Sequence, residues 1–242
     1  MKKVLVIGES CRDIFVYCET FRLCPDVPVP VLSVKNQVEN AGMAKNVQRN
    51  IQSFIEDCDL MTNTNWHNIT KTRYVHDMSN HMFFRVDSSH KFRRINLKRI
   101  NFNYDIIVIS DYNKGFLLKK DIEHICKNHD NVFLDTKKIL GGWATYAKYI
   151  KINDYEYNNS IEHMTEELKS KTIRTMGSMG CEFQSVNYPV DKVEVKDTSG
   201  AGDSFMAALI VKYSKTNDII KSVQFANKCA SEIVKQRGVG VI

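Results

Sequence analysis

From residue 104 onward short apolar runs alternate with helical stretches, and this alternation leaves few folds open. Asp105–Ser110 (DIIVIS) reads as a strand and Lys119–Lys127 as a helix. Val132–Asp135 and Tyr149–Ile152 read as strands, Glu162–Leu168 as helical and Thr172–Thr175 as a strand. Ala201–Tyr213 and Asp218–Lys235 then read as two closing helices. Strands spaced by helices predict a mostly parallel sheet covered on both faces. Val4–Ile7, β-branched and apolar and ending at Gly8, joins it as a buried first strand.

The segment before residue 104 is different. Ile14–Tyr17 and Val29–Val34 flank the proline-punctuated stretch Cys24–Pro30 and read as edge strands. Arg73–His76 and Met82–Val86 form a second strand pair, and Ala44–Ile55 a helix. Residues 56–70 are polar and Asn-rich, a predicted loop. With 242 residues the chain buries a sizeable core without staples. The economical reading is one α/β domain over 1–242 with a small early β excursion.

Composition narrows the function classes. Lys+Arg at 34 against Asp+Glu at 28 gives +6, a mild excess that favours anionic ligands without requiring nucleic acid. The seven cysteines, at 11, 18, 24, 58, 126, 181 and 229, are odd in number and form no CxxC. No His–Cys spacing predicts a structural zinc. The apolar run after Lys2-Lys3 is too short for a secretory signal, and no stretch approaches a membrane span. The expected location is a reducing cytoplasm, with no membrane partner.

The most informative string is Asp197-Thr-Ser-Gly-Ala-Gly-Asp203, which opens directly into the apolar run SFMAALIVKY. A glycine-rich turn feeding a helix presents unpaired amides and the positive end of the helix dipole, an arrangement that binds anions. A carboxylate there repels phosphate, so Asp203 makes sense as a base that takes a proton from an attacking hydroxyl. The plainer alternative is a turn with a favourable first-turn Asp.

The full string resembles the second signature of the ribokinase-like (PfkB) carbohydrate kinases. That resemblance implies a three-layer α/β/α fold with a mostly parallel sheet and a small β-strand lid, from about 13–36 and 71–88. It implies Asp203 as catalytic base and Gly200, Ala201 and Gly202 as the anion hole. Asp13 and the turn Gly42 to Asn46 then fall on sugar-binding positions. Asn153 and Glu156 match an NxxE motif near magnesium and the nucleotide phosphates, with Glu156 acting through metal-bound water. Thr175, Gly177 and Gly180 would border the nucleotide, and Asn227 the adenine. ATP and Mg²⁺ are the implied cofactors.

Within the family the chain looks most like the D-glycero-β-D-manno-heptose 7-phosphate kinase branch. The carrying residues are the proline string Arg22 to Val31, Ser110-Asp111-Tyr112-Asn113-Lys114-Gly115 and Asp135-Thr136-Lys137. Thr70-Lys71-Thr72-Arg73 and Phe84-Arg85-Val86-Asp87 echo that branch's lid. The implied substrate is a sugar phosphate phosphorylated on its anomeric hydroxyl. Asp111, Arg85 and Lys137 are expected to bind it, with Arg73 and Lys114 as further cations. Lid strands of this family often pair between subunits, so a homodimer is expected.

Several departures stand out. Glu9 replaces the usual Asp after the first-strand Gly, and Ile14 rather than Arg follows Asp13. Strand alternation would put Arg12 and Asp13 on opposite faces. Met43 stands where the branch has a second Gly, so either it narrows the sugar pocket or the spacing follows a longer variant. Between Ile55 and Arg73 the family's strand, turn and helix have no room, which predicts a trimmed sheet edge crossed by a loop. A nucleotidyltransferase half is not expected after Gly238-Val-Gly-Val. Two rivals remain: a catalytically silent sugar-phosphate or nucleotide binder, and nucleic-acid binding through the basic run from His90 to Arg99. A solvated linker explains that run more simply, so no nucleic-acid partner is expected.

Overall fold

The computed structural model describes residues 2–88, 91–238 and 240. Twelve strands fall into two sheets among these residues. In the large sheet β1 (Val4–Gly8) pairs in parallel with β4 (Cys58–Met61) on one side and β7 (Ile106–Asp111) on the other. The parallel run continues through β8 (Val132–Thr136), β9 (Tyr149–Asn153) and β10 (Thr172–Thr175). Two short antiparallel strands, β11 (Cys181–Phe183) and β12 (Val186–Tyr188), finish the far edge.

Alternation along the central strands splits the core in two. Val4, Val6, Ile106, Val108 and Phe133 pack with α1 (Ala44–Gln52), α5 (Ala201–Thr216) and α6 (Ile219–Ile233). Leu5, Ile7, Ile107, Ile109 and Leu134 pack on the other side with α2 (Lys119–Lys127) and Leu168 of α4 (Glu166–Lys171). Both faces are apolar, which is why these strands read as unbroken hydrophobic runs. Residues 203–211 of α5 are buried without interruption, so it is an internal helix rather than an amphipathic cover.

The smaller sheet is the lid, and it is larger than the sequence predicts. β2 (Ser10–Leu23) and β3 (Pro30–Met43) form a long antiparallel hairpin of 14 residues each. β5 (Thr70–His76) pairs in parallel with β2, and β6 (Met82–Asp87) closes the order β3-β2-β5-β6. The polar residues 33–40 have no apolar periodicity to announce a strand; the pairing with β2 imposes it. The tip of the β5–β6 hairpin is fastened to the chain's closing segment. Arg237 donates to the carbonyls of Asp77 and Met78, both at 2.9 Å, and Asn80 donates to the Lys196 carbonyl.

The expected loop over 56–70 needs correction. Cys58–Met61 is a strand, with Cys58 opposite Val4 and buried in the core. What is missing is the helix. From Thr62 to Ile69 there is only one 3-10 turn, Trp66–Asn68. Asn63, 2% exposed, accepts the Ser10 amide at 2.8 Å and so holds the start of β2 where the sheet edge ends. The helical reading of 162–168 also shifts: α3 (Asp154–Ser160) precedes it, followed by a 3-10 turn at Ile161–His163 and then α4. His90, the start of the basic run, lies outside the described residues, as does Ser89 before it. Within that run Arg94 is bonded to the buried carboxylate of Asp121, a fastening of the linker onto α2.

Candidate active site

The C-terminal ends of β7, β8 and β9 deliver charged side chains to one cleft, where ligands gather in open α/β sheets. A cleft of about 310 Å³ is lined by Asp111, Tyr112, Asp135, Lys137, Lys151, Asn153, Glu156, Gly200, Gly202 and Asp203, among others. It shares Thr175, Gly177 and Gly202 with a neighbouring cavity of about 500 Å³. That second cavity is walled by Val190, Val193, Val195, Phe205 and Val234, with Asn227 at its side. A polar cleft opening into an apolar chamber suits a ligand with a charged end and a flat apolar end.

Asp203 sits in the first turn of α5 and is 6% exposed. Its Oδ1 accepts the Tyr112 hydroxyl at 2.6 Å, and its Oδ2 accepts Asn46 Nδ2 at 3.0 Å. Burial pushes its carboxyl above the ordinary Asp value, against the lowering effect of these two hydrogen bonds; Asp135 adds to the rise and Lys151 opposes it. Gly200, the N-cap of α5, has left-handed backbone at φ 80°. The Ala201 amide is already committed to the Thr198 carbonyl at 3.2 Å. The first-turn amides of α5 include those of Gly202 and Asp203, two residues that line the polar cleft.

Two buried ion pairs underlie the cleft. Lys151 meets Asp135 at 2.8 Å, and Lys138 meets both oxygens of Asp111, at 2.8 and 2.9 Å. Thr136 also donates to Asp111, at 2.5 Å. Asp111, expected on the substrate, thus has both oxygens occupied within the protein. Lys138 is the residue the sequence reading missed: in Asp135-Thr-Lys-Lys it is the second lysine that is buried, at 7% exposure. Lys137 instead pairs with Glu156 at 3.3 Å, at the edge of the cleft.

Asn153 and Glu156 form a capping box on α3. Asn153 Oδ1 accepts the Glu156 amide at 2.8 Å, and Glu156 Oε2 accepts the Asn153 amide at 2.9 Å. The NxxE spacing thus has a local structural job, and the other oxygen of Glu156, Oε1, meets Lys137 at the cleft lining. Among the described residues no three His, Cys, Asp or Glu side chains are grouped to hold a metal. The donor set fits Mg²⁺ only as an ion held by phosphates and waters beside Glu156.

Other predicted residues fall in three places. Asn227 lines the apolar cavity and donates to the Tyr188 carbonyl at 2.7 Å, which fixes that cavity's wall. Gly180 lies at φ 86° in the turn before β11, where an added Cβ would stand 2.1 Å from the Tyr188 carbonyl oxygen. It shapes the turn and lines neither cavity.

Asp13 faces the lid side with Gly42 beside it, and Arg73 bonds its carboxylate. Arg12 bonds Glu39 instead, at 2.6 and 2.5 Å, so the two neighbours do point to opposite faces. Arg85 is directly opposite Arg73 in the β5–β6 register, but it pairs with Asp87 and lies away from the cleft lining. Asn46 is fully buried and accepts from Asn50 at 3.2 Å while it holds Asp203. Glu9 explains its own extra methylene: its carboxylate reaches the amides of Tyr112 and Lys114 at 2.8 and 2.9 Å and holds the turn after β7.

Residues 57–241 match the model of the pfkB family carbohydrate kinases. The chain belongs to that family. Among curated relatives, the Bifunctional protein HldE of Helicobacter pylori strain HPAG1 is 26% identical over 297 aligned residues, covering 98% of this chain and 64% of that protein. The Aliarcobacter butzleri protein of the same name is 26% identical over 294, covering 97% and 61%. The chain therefore spans just under two thirds of the length of these relatives. Among solved structures, ribokinase from Thermotoga maritima superposes with a TM-score of 0.73 at 16% identity, covering 99% of this chain and 95% of that one. Phosphofructokinase-2 from Escherichia coli gives 0.71 at 13%, covering 100% and 95%. Both establish the ribokinase-like fold of this pfkB-family chain.

Proposed function

We propose that this pfkB-family chain transfers the γ-phosphoryl group of ATP to a sugar hydroxyl, with the anomeric hydroxyl of a heptose 7-phosphate as the acceptor. The observation that carries the transfer is the place of Asp203, a buried carboxylate at the N-terminus of α5, in the cleft that shares a wall with the apolar chamber. The chamber suits the base of the nucleotide and the polar cleft its phosphates.

Asp203 takes the proton of the attacking hydroxyl as its oxygen bonds the phosphorus. The Gly202 and Asp203 amides steady the charge on the transferring group, and the fixed cleft supplies alignment. Four cleft carboxylates (Asp111, Asp135, Glu156, Asp203) stand against the ammonium groups of Lys137, Lys138 and Lys151, a balance of one negative charge. A polyphosphate entering such a site must bring cations with it. Mg²⁺ supplies that neutralisation when bound, beside Glu156 and through water.

The heptose reading rests on the proline string, the SDYxKG and DTK segments and the likeness to about two thirds of the HldE proteins, over 97–98% of this chain. Lys71, Arg73 and Arg85 share one face of the lid sheet with Asp13, which supports a phosphorylated acceptor. The whole of 1–242 is read as one kinase unit working in the cytoplasm. The lid also exposes Phe21, Val34, Phe84 and Val86, which supports pairing with a second copy; light scattering tests that.

The deciding experiment is an ATP-consumption screen over heptose 7-phosphates, hexose phosphates and free sugars. Phosphorylation of a heptose 7-phosphate by the native chain, and none by Asp203→Asn, is the expected result. Activity confined to an unphosphorylated sugar overturns the heptose reading and keeps the kinase. Unchanged turnover in Asp203→Asn removes the base.

A further inference from the structure

The Tyr112 hydroxyl is placed beyond what the packing of its ring requires. Its backbone is already anchored: Glu9 accepts its amide at 2.8 Å, and the neighbouring Asp111 is locked by Lys138 and Thr136. Its ring packs against Cys11, Met43 and Ile69 at the junction of the two sheets. The hydroxyl has one partner among the described residues, Oδ1 of Asp203 at 2.6 Å. Lys71, from lid strand β5, and Lys137, from the cleft, both approach the ring, at 5.0 and 4.9 Å from its centre. One side chain thus touches the lid, the phosphate cleft and the carboxylate together.

We propose that Tyr112 is the positioning residue of the phosphoryl-transfer reaction: its hydroxyl holds Asp203 Oδ1 while Asn46 holds Oδ2, fixing the carboxylate in its ionised, proton-accepting form. The inference rests on Asp203 being the base. A short O–H···O⁻ bond favours the charged carboxylate over the neutral acid. Tyr112 keeps its own proton, because burial and the neighbouring Asp203 push its phenol well above the ordinary value. The acceptor's O–H bond breaks and its proton passes to Asp203. The new oxygen–phosphorus bond forms as the bond from phosphorus to the β-phosphate oxygen breaks.

The charged and titratable groups around this pair are Asp135 and Lys151 from the large sheet and Cys11 from β2. Asp13, Lys71 and Arg73 surround Cys11 on the lid side, and Lys137 lies over the ring. Tyr112→Phe removes the hydroxyl and leaves all of them in place. Lysine–ring contacts survive the change as well, so the lid keeps its footing.

The test is a ¹³C-carboxyl titration of Asp203, its resonance assigned by its loss in Asp203→Asn, in the native chain and in Tyr112→Phe. The midpoint is expected to move to higher pH in Tyr112→Phe. With ATP and D-glycero-β-D-manno-heptose 7-phosphate, kcat is expected to fall about tenfold, the loss of one charge-assisted hydrogen bond, with KM unchanged. Site-specific 3,5-difluorotyrosine at 112, a stronger donor, is expected to move the midpoint the other way. A midpoint that stays in place in both variants overturns the proposal. The titration needs no acceptor, so a native chain that ignores this heptose fails the substrate reading alone.

Discussion

Lys151 lies 2.8 Å from Asp135 with both side chains nearly withdrawn from solvent, and its ammonium stands 3.0 Å from where a methyl on Gly202 would sit. Burial works against the charged lysine, but Asp135, Glu156 and Asp203 together more than offset it, so its pKa is raised. A raised lysine contributes stability that is complete below its unfolded pKa and is lost as pH climbs through the folded one. Lys151→Met strands Asp135 as an unpaired buried charge, for a loss of about 3–5 kcal/mol in urea denaturation at pH 7. It also removes a cation that lowers Asp203, so the acidic limb of kcat/KM moves to higher pH.

Asp203→Asn separates activity from stability. The folded pKa of Asp203 is raised, so its contribution is favourable at low pH and is lost as pH rises through that value. At pH 7 the buried charge costs stability. The neutral isostere is expected to raise Tm by about 2–4 °C for each kcal/mol relieved, while turnover disappears. Calorimetry beside an ATP assay checks both.

Gly42→Ala reports on the sugar side of the site. An added Cβ would stand 2.7 Å from Cys11 Sγ and 3.2 Å from Asp13 Oδ2, so the Asp13 carboxylate must shift. KM for the acceptor is expected to rise with KM for ATP unchanged. Equal rises in both would remove Asp13 from the acceptor's contacts.

Arg237→Ala frees the tip of the lid hairpin by removing two hydrogen bonds to the Asp77 and Met78 carbonyls. Amide hydrogen exchange at 77–81 is expected to accelerate, with protection of the central strands β1 and β7 unchanged. Unchanged exchange at 77–81 shows that the Asn80 bond to Lys196 is sufficient by itself.

The central strands β1 and β7–β10 of the large sheet were legible because they are buried on both faces, and a run such as IIVIS has few other uses; the edge strands β4, β11 and β12 were not. The anion-binding end of α5 was legible because glycines and Asp203 stand in one unbroken string. Less visible was anything set by distant pairing. Lys138 outranks Lys137 in burial because its ammonium turns inward to both oxygens of Asp111 on the neighbouring strand, and no local signal marks that. Likewise Asn46 holds Asp203 across 157 residues of chain.

Met43 shows a departure with a physical cost. It caps α1 at φ 62°, ψ −136°, a backbone region that favours glycine, yet its side chain is 3% exposed against Cys11 and Ile69. Strain there costs about 1–3 kcal/mol, whereas truncating a buried Met to Ala costs about 2–5. Packing wins, which accounts for a methionine at a backbone position that favours glycine.

The trimmed edge beyond β4 also makes the molecule extensible. Asn63 and Ile69 are buried anchors, but Thr64, His67 and Asn68 between them are exposed. Added chain at His67–Asn68 leaves the Asn63 hold on Ser10 intact, and each doubling of loop length costs only about 0.6 kcal/mol. The place where a helix is absent is therefore a natural port for grafting one, or for inserting a reporter domain far from Asp203 in sequence.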